Sequence, residues 1–173
     1  MARNKISLRE YQQGVVAKLQ AISQGGEIQA ASRLGLQVGD QYWLVDLADA
    51  GEVIPPPELA QVPHSQPWFA GVANIRGNLY SVVDFSAFCG GDPVDGGAGN
   101  RLLLANARFL VNSGLLVNRL LGLRHAGQLQ PMETSSGAAP WVKAEFSDAD
   151  GRHWKELDIQ ALVNDQAFLQ AGR

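Results

Sequence analysis

The stretch Pro67–Phe88 constrains the fold more than any other part of the chain. Val72, Ala73 and Ile75 read as one short strand. Leu79 to Asp84, rich in β-branched and aromatic residues, reads as its return. Between them Arg76-Gly77-Asn78 reads as a tight turn, because Gly and Asn tolerate positive φ where other residues clash. Trp68 and Phe69 supply two large rings at the start of the unit. The expected result is a buried hairpin with one arginine at its tip. An arginine there does not belong in a core: it is solvated, paired within the chain, or turned toward a partner.

The same short-strand pattern continues on both sides. Leu34, Leu36 and Val38 alternate with Gly35 and Gln37, Gly39-Asp40 fits a two-residue turn, and Tyr42 and Leu44 alternate beyond it. This predicts a hairpin with one buried face. Asp46–Val53 fits a strand end or a short helix. Pro55-Pro56-Pro57, Pro63 and Pro67 then predict a stiff surface connection. Ser86–Phe88 suits one turn of helix, and the glycine-rich run Gly90–Asn100 a loop. Arg101–Ala105 is a strand candidate, Asn112-Ser113-Gly114 a turn, and Leu115–Leu123 one strand buried on both faces. Arg124–Met132 continues extended with Leu129 inward; Trp141–Phe146 and Arg152–Leu157 are strands joined by a hairpin loop at Asp148–Gly151. Asp158 caps a closing helix that runs to Val163. At the other end, Ser7-Leu8-Arg9-Glu10 fits a capping box, and Leu8, Tyr11, Val15, Leu19 and Ile22 share one helical face before Gly25-Gly26. That helix either docks on its own domain or serves a partner. Short strands, tight turns and helices only at the ends indicate an all-β barrel or sandwich.

At 173 residues the chain suits one domain, or two small subdomains sharing a core. Its 14 basic and 17 acidic residues give a net charge of −3, which argues against a nucleic-acid binder. Cys89 is the only cysteine, so an internal disulfide and a zinc-cysteine cluster are excluded, and it reads as a small buried side chain. His64, His125 and His153 lack metal-ligand spacing, and Asp148-x-Asp150-Gly151 lacks the rest of a calcium loop. Gly97-Ala98-Gly99 lacks the remainder of a dinucleotide fingerprint. No serine sits in a nucleophile elbow, and Glu133, Glu145 and Glu156 fall on separate elements. Neither enzymatic activity nor a metal or cofactor is expected. No apolar run of membrane length or secretory signal is present, so a soluble cytoplasmic protein is expected. What remains is binding by surface.

Gly71, Val72, Asn74, Ile75, Arg76, Gly77, Val82, Val83 and Asp84 hold a spacing that resembles the central motif of the CheW family. Ser81 stands where the family usually has proline, Phe85 where it has leucine, and Asn118, after Gly114-Leu115-Leu116-Val117, where it has aspartate. A weaker resemblance covers residues 31–169. It implies two SH3-like five-stranded β-barrel subdomains sharing a core, with an N-terminal helical extension over residues 1–30 and a short C-terminal helix. It implies a non-catalytic scaffold that couples the cytoplasmic tip of a methyl-accepting chemoreceptor to a CheA-like histidine kinase. One apolar barrel patch would dock the kinase's own CheW-like regulatory domain, and a groove between the barrels would take the receptor tip. Glu52 and Arg76 match the family's functional glutamate and arginine. Leu47, Val53 and Gly71 are candidates for the apolar lining, with simple core packing as the alternative. Asn74, Gly77, Val82, Val83 and Asp84 form the structural frame. The added first helix resembles the twitching-motility branch of the family, which serves type IV pili. The implied location is the cytoplasm, at receptor arrays on the inner membrane, with no nucleic acid and no membrane insertion. Outside the family, the alternative is a barrel that binds a small ligand or oligosaccharide in a deep closed pocket.

Overall fold

The computed structural model describes residues 32–172. The helix expected over Ser7–Ile22 and the boundary expected at residue 30 lie outside the described residues. The strands are β1 (Ser32–Val38), β2 (Gln41–Asp46), β3 (Ala50–Ile54), β4 (Phe69–Ile75), β5 (Asn78–Asp84), β6 (Arg101–Ala105), β7 (Ser113–Val117), β8 (Arg119–His125), β9 (Leu129–Met132), β10 (Val142–Asp148) and β11 (His153–Leu157). Three short helices accompany them: α1 (Phe85–Phe88), α2 (Ile159–Val163) and α3 (Gln166–Leu169).

The strands form two sheets, one in the order β8-β1-β2-β11-β10-β9 and one in the order β3-β6-β7-β5-β4. The all-β, two-sheet architecture is the expected one, with a sixth strand in the first sheet. β8 and β9 stand at opposite ends of that order, yet only residues 126–128 join them. A flat six-stranded sheet is roughly 24 Å across at about 4.8 Å per step. Four peptide steps reach roughly 14 Å. The sheet must therefore curl until its edges approach. In the second sheet the chain leaving β3 lays Ala60 against Val72 of β4, the opposite edge, with backbone bonds of 2.8 and 2.9 Å.

Curling gives each sheet two buried faces. Leu36, Trp43 and Val45 of the first sheet meet Val83, Leu103, Leu115 and Val117 of the second in one shared core, closed by Ile159 and Leu162 of α2. Leu44, Leu129 and Trp154, with Tyr42, Leu121 and Phe146, fill the inside of the first sheet. Ala73, Ile75, Val82, Leu102 and Leu104 fill the second. This corrects the expectation of one buried face for the first hairpin: Trp43, Leu44 and Val45 are all at most 2% exposed, since β2 separates the shared core from its own barrel interior. The Gly39-Asp40 turn is as expected, with Val38 paired to Gln41. Asp46–Val53 resolves into a turn followed by β3.

Two further expectations change. Leu115–Leu123 is not one strand. It breaks at Asn118, whose N–H donates to the Gln37 carbonyl and whose Oδ1 accepts the Gly39 N–H at 2.7 Å. There the chain leaves the second sheet for the first, and β8 lies half open with Leu123 52% exposed. Gly114 does not turn the chain either. It lies within β7, where a Cβ would meet Leu102 Cδ1 at 2.8 Å. Trp154, fully buried, donates its indole N–H to Asp148 Oδ2 at 2.9 Å. Asp148 Oδ1 accepts the N–H groups of Asp150 and Arg152, so that aspartate closes a hairpin loop. Asp158 caps α2 as expected, and Asp165 caps α3, which the sequence reading missed.

Candidate functional site

The site is built on the β4–β5 hairpin. Ile75 pairs with Asn78, so the turn is Arg76-Gly77 alone, and Asn78 already belongs to the strand. Both turn residues have positive φ, +52° and +84°, as a two-residue turn matched to strand twist requires. Asn74 steadies it by accepting the Gly77 N–H on Oδ1 at 2.9 Å. The hairpin was expected to be buried. Its base is, with Val82 at 1% and Val83 at 2% exposed, but its tip stands in solvent and Leu79 is 63% exposed. The two valines point to opposite faces of β5, Val82 into the second barrel and Val83 into the shared core. Asp84 then caps α1, accepting from the Ala87 N–H, and also holds the Val94 N–H at 2.8 Å.

Arg76 reaches Glu52 on β3. Nη1 donates to Oε2 at 2.7 Å and Nη2 to Oε1, giving a bidentate pair. β3 and β4 are the two ends of the second sheet's order, so the pair straddles the seam that curling creates. The side chains remain 69% and 41% exposed. The hydrogen bond from Arg76 holds the Glu52 carboxyl below its ordinary range, opposed by partial desolvation and reinforced by the arginine's charge. The same bond raises the guanidinium's own pKa. A guanidinium has five N–H donors, and the pair uses two of them. The remaining donors belong to a side chain that is largely open to solvent while Glu52 holds it.

The other expected residues scatter around this pair. Leu47, 41% exposed, starts the loop from β2 to β3. Val53 is half-buried, paired with Leu103 and packed on the shared core. Gly71 offers no surface: it is buried, with φ +139°, and a Cβ would stand 2.5 Å from the Ala60 carbonyl oxygen. Its place is under the Ala60–Val72 bridge. The departures from the family motif have local reasons. Ser81 donates its N–H to the Asn112 carbonyl at 2.9 Å, a bond proline lacks. Asn118 retains the acceptor oxygen an aspartate would supply.

Among the described residues, no three His, Cys, Asp or Glu side chains converge as metal ligands. Burial pushes the Cys89 thiol up to about 12, against the charge of Lys155, which leaves it a packing group at neutral pH. Glu145 and Glu156 lie on the paired strands β10 and β11, opposite Lys155 and Ala144 respectively, and serve different partners. Glu156 is paired with Arg33 at 2.7 Å, while Glu145 accepts the Ser135 N–H and Oγ–H, with His153 Nε2 at 3.3 Å. Sequence reasoning missed the loop that braces Ala48 and Asp49, next to Leu47 in the chain. Asn106 donates from its backbone to the Asp49 carbonyl and from its side chain to the Ala48 carbonyl, and Arg108 pairs with Asp49. An Asn two residues before an Arg N–H that it accepts is an Asx turn, the signal that could have found it.

Two curled sheets with filled interiors, carrying an exposed ion pair at a hairpin tip, define a two-barrel all-β domain of the SH3-like kind. Residues 33–167 match the model of the CheW-like domain. Over 148 residues the chain is 28% identical to Protein PilI of Pseudomonas aeruginosa, covering 82% of this chain and 80% of that one. It is 31% identical over 85 residues to a probable chemotaxis protein CheW of Rhizobium etli, covering 49% and 54%. The scaffolding protein TtCheW of Thermoanaerobacter tengcongensis shares the fold, with a TM-score of 0.66 at 14% identity, over 80% of this chain and 95% of that one. The chain belongs to the CheW-like domain family. Among the described residues no helix is long and apolar enough to cross a membrane.

Proposed function

We propose that this protein is a cytoplasmic adaptor that couples a methyl-accepting chemoreceptor to a CheA-like histidine kinase, in the pathway controlling type IV pili. One observation carries the reading. The Glu52–Arg76 pair, at the positions matching the family's functional glutamate and arginine, is formed yet exposed, with donors left over for a partner. Exposed Leu79 beside it and Leu47 on the neighbouring strand's approach supply apolar area. A polar anchor with an apolar surround suits docking against another protein. The likeness to PilI along about four fifths of both chains supports the pilus branch. Trp154 packs the interior of one barrel and Leu102, Leu104 and Val82 that of the other, which counts against the small-ligand alternative. The test is reconstitution: with purified receptor and kinase, this protein should be retained by both and should raise kinase autophosphorylation. No retention and no stimulation would remove the adaptor role.

A further inference from the structure

A hollow of about 260 Å³ shares no residue with either barrel interior. Part of its lining is a row of three side chains. Trp43, Lys155 and Glu145 are register partners across β2, β11 and β10, so they stand side by side on one face of the first sheet. The loop from Ser135 to Trp141 supplies further wall, and Cys89 another part. Glu145, 1% exposed, ties that loop down by accepting the Ser135 N–H and, at 3.0 Å, its hydroxyl, with His153 Nε2 at 3.3 Å. Its oxygens are thereby committed.

Two groups of the lining lack a partner. Lys155 holds its ammonium 5.5 Å over the Trp43 ring, and its charge acts on Glu145 and Cys89, yet it forms no ion pair among the described residues. The Trp141 indole N–H is shielded from solvent and has no acceptor among the described residues. A buried donor left in this way is rare in folded proteins. Both groups are donors, so what is missing is an acceptor, and the ammonium favours an anionic one. The same ammonium disfavours a cation. The two indoles add flat apolar wall, which suits an organic body and not an inorganic anion. The volume falls just under the roughly 300–1,000 Å³ of drug-sized sites, so the ligand is small. We propose that the hollow binds a small organic carboxylate with a flat apolar body, its carboxylate on the Lys155 ammonium and its body against the indoles of Trp43 and Trp141. This binding is independent of receptor and kinase coupling.

The test is titration of the full chain with hydrocinnamate, followed by the indole N–H resonances in heteronuclear NMR. Those of Trp43 and Trp141 should shift, with a Kd of about 1 mM or below. That of Trp154, next to Lys155 in β11 and so on the other face of the strand, should stay in place. Hydrocinnamamide has the same shape without the charge, and should bind about tenfold more weakly or worse. Hydrocinnamate should lose as much on Lys155→Gln. Absence of shifts up to about 20 mM overturns the proposal. So do equal affinities of the wild type for acid and amide, or a folded Lys155→Gln chain that binds the acid like the wild type.

Discussion

Gly71→Ala tests whether barrel closure or partner contact explains that glycine. The backbone at φ +139° lies in a region open to glycine and costly for alanine, by about 1–3 kcal/mol. The new Cβ would also sit 2.5 Å from the Ala60 carbonyl oxygen, which belongs to the bridge with Val72 and has no rotamer to escape into. Overpacking of this kind adds about 1–3 kcal/mol. The sum is about 2–6 kcal/mol. Gly77→Ala is the control. Its φ is +84° but nothing lies within 4 Å of a Cβ, so only the conformational cost remains, about 1–2 kcal/mol. Urea unfolding of both variants at equal m would give the difference directly. A Gly71→Ala chain as stable as Gly77→Ala would refute the reasoning. With the difference present, lost partner binding in a Gly71 variant reports an opened seam and not a missing contact.

Two other outcomes follow from the packing. Trp154→Ala removes the fully buried filling of the first barrel and strips Asp148 of a donor, and should cost about 3–5 kcal/mol with loss of near-ultraviolet circular dichroism. Burial raises the Glu145 carboxyl, but the Ser135 bonds and the charges of His153 and Lys155 outweigh it and leave the group below its ordinary 4.5. A lowered folded pKa means stabilisation that is present above about pH 4.5 and lost as pH falls through the folded value. The stability gap between wild type and Glu145→Gln should therefore narrow on acidification in melting curves below about pH 4.5, and a gap that holds constant there would contradict the assignment.

Much of the fold was legible because local chemistry decides it. The Gly39-Asp40 turn, the Asp148–Gly151 loop and the Asp158 cap each depend on one or two residues meeting a backbone need at that place. Long-range events were not legible. Leu115–Leu123 has the composition of one buried strand, and only the Gly39 and Gln37 groups that hold Asn118 reveal the crossing between sheets. Gly114 has the composition of a turn, and only the Leu102 side chain opposite shows that the glycine is there for close approach. Trp43-Leu44-Val45 defeats period-two reasoning because β2 is a wall between two cores. At the site, turn chemistry predicts the exposed guanidinium at the tip. Its pairing with Glu52 joins opposite edges of a sheet, which spacing cannot express; the family match supplied the two positions but not their contact.

The central claim is that Arg76 is a docking group held ready by Glu52, and Arg76→Ala tests it most directly. Alanine inherits the same turn φ, and Glu52 is exposed enough to be rehydrated, so the melting temperature should stay within about 3 °C of wild type. Binding to the receptor, measured by titration calorimetry, should weaken about tenfold or more, and kinase stimulation should fall with it. Unchanged binding, or a melting curve that collapses, would contradict the account and leave the arginine as a clasp for the barrel seam.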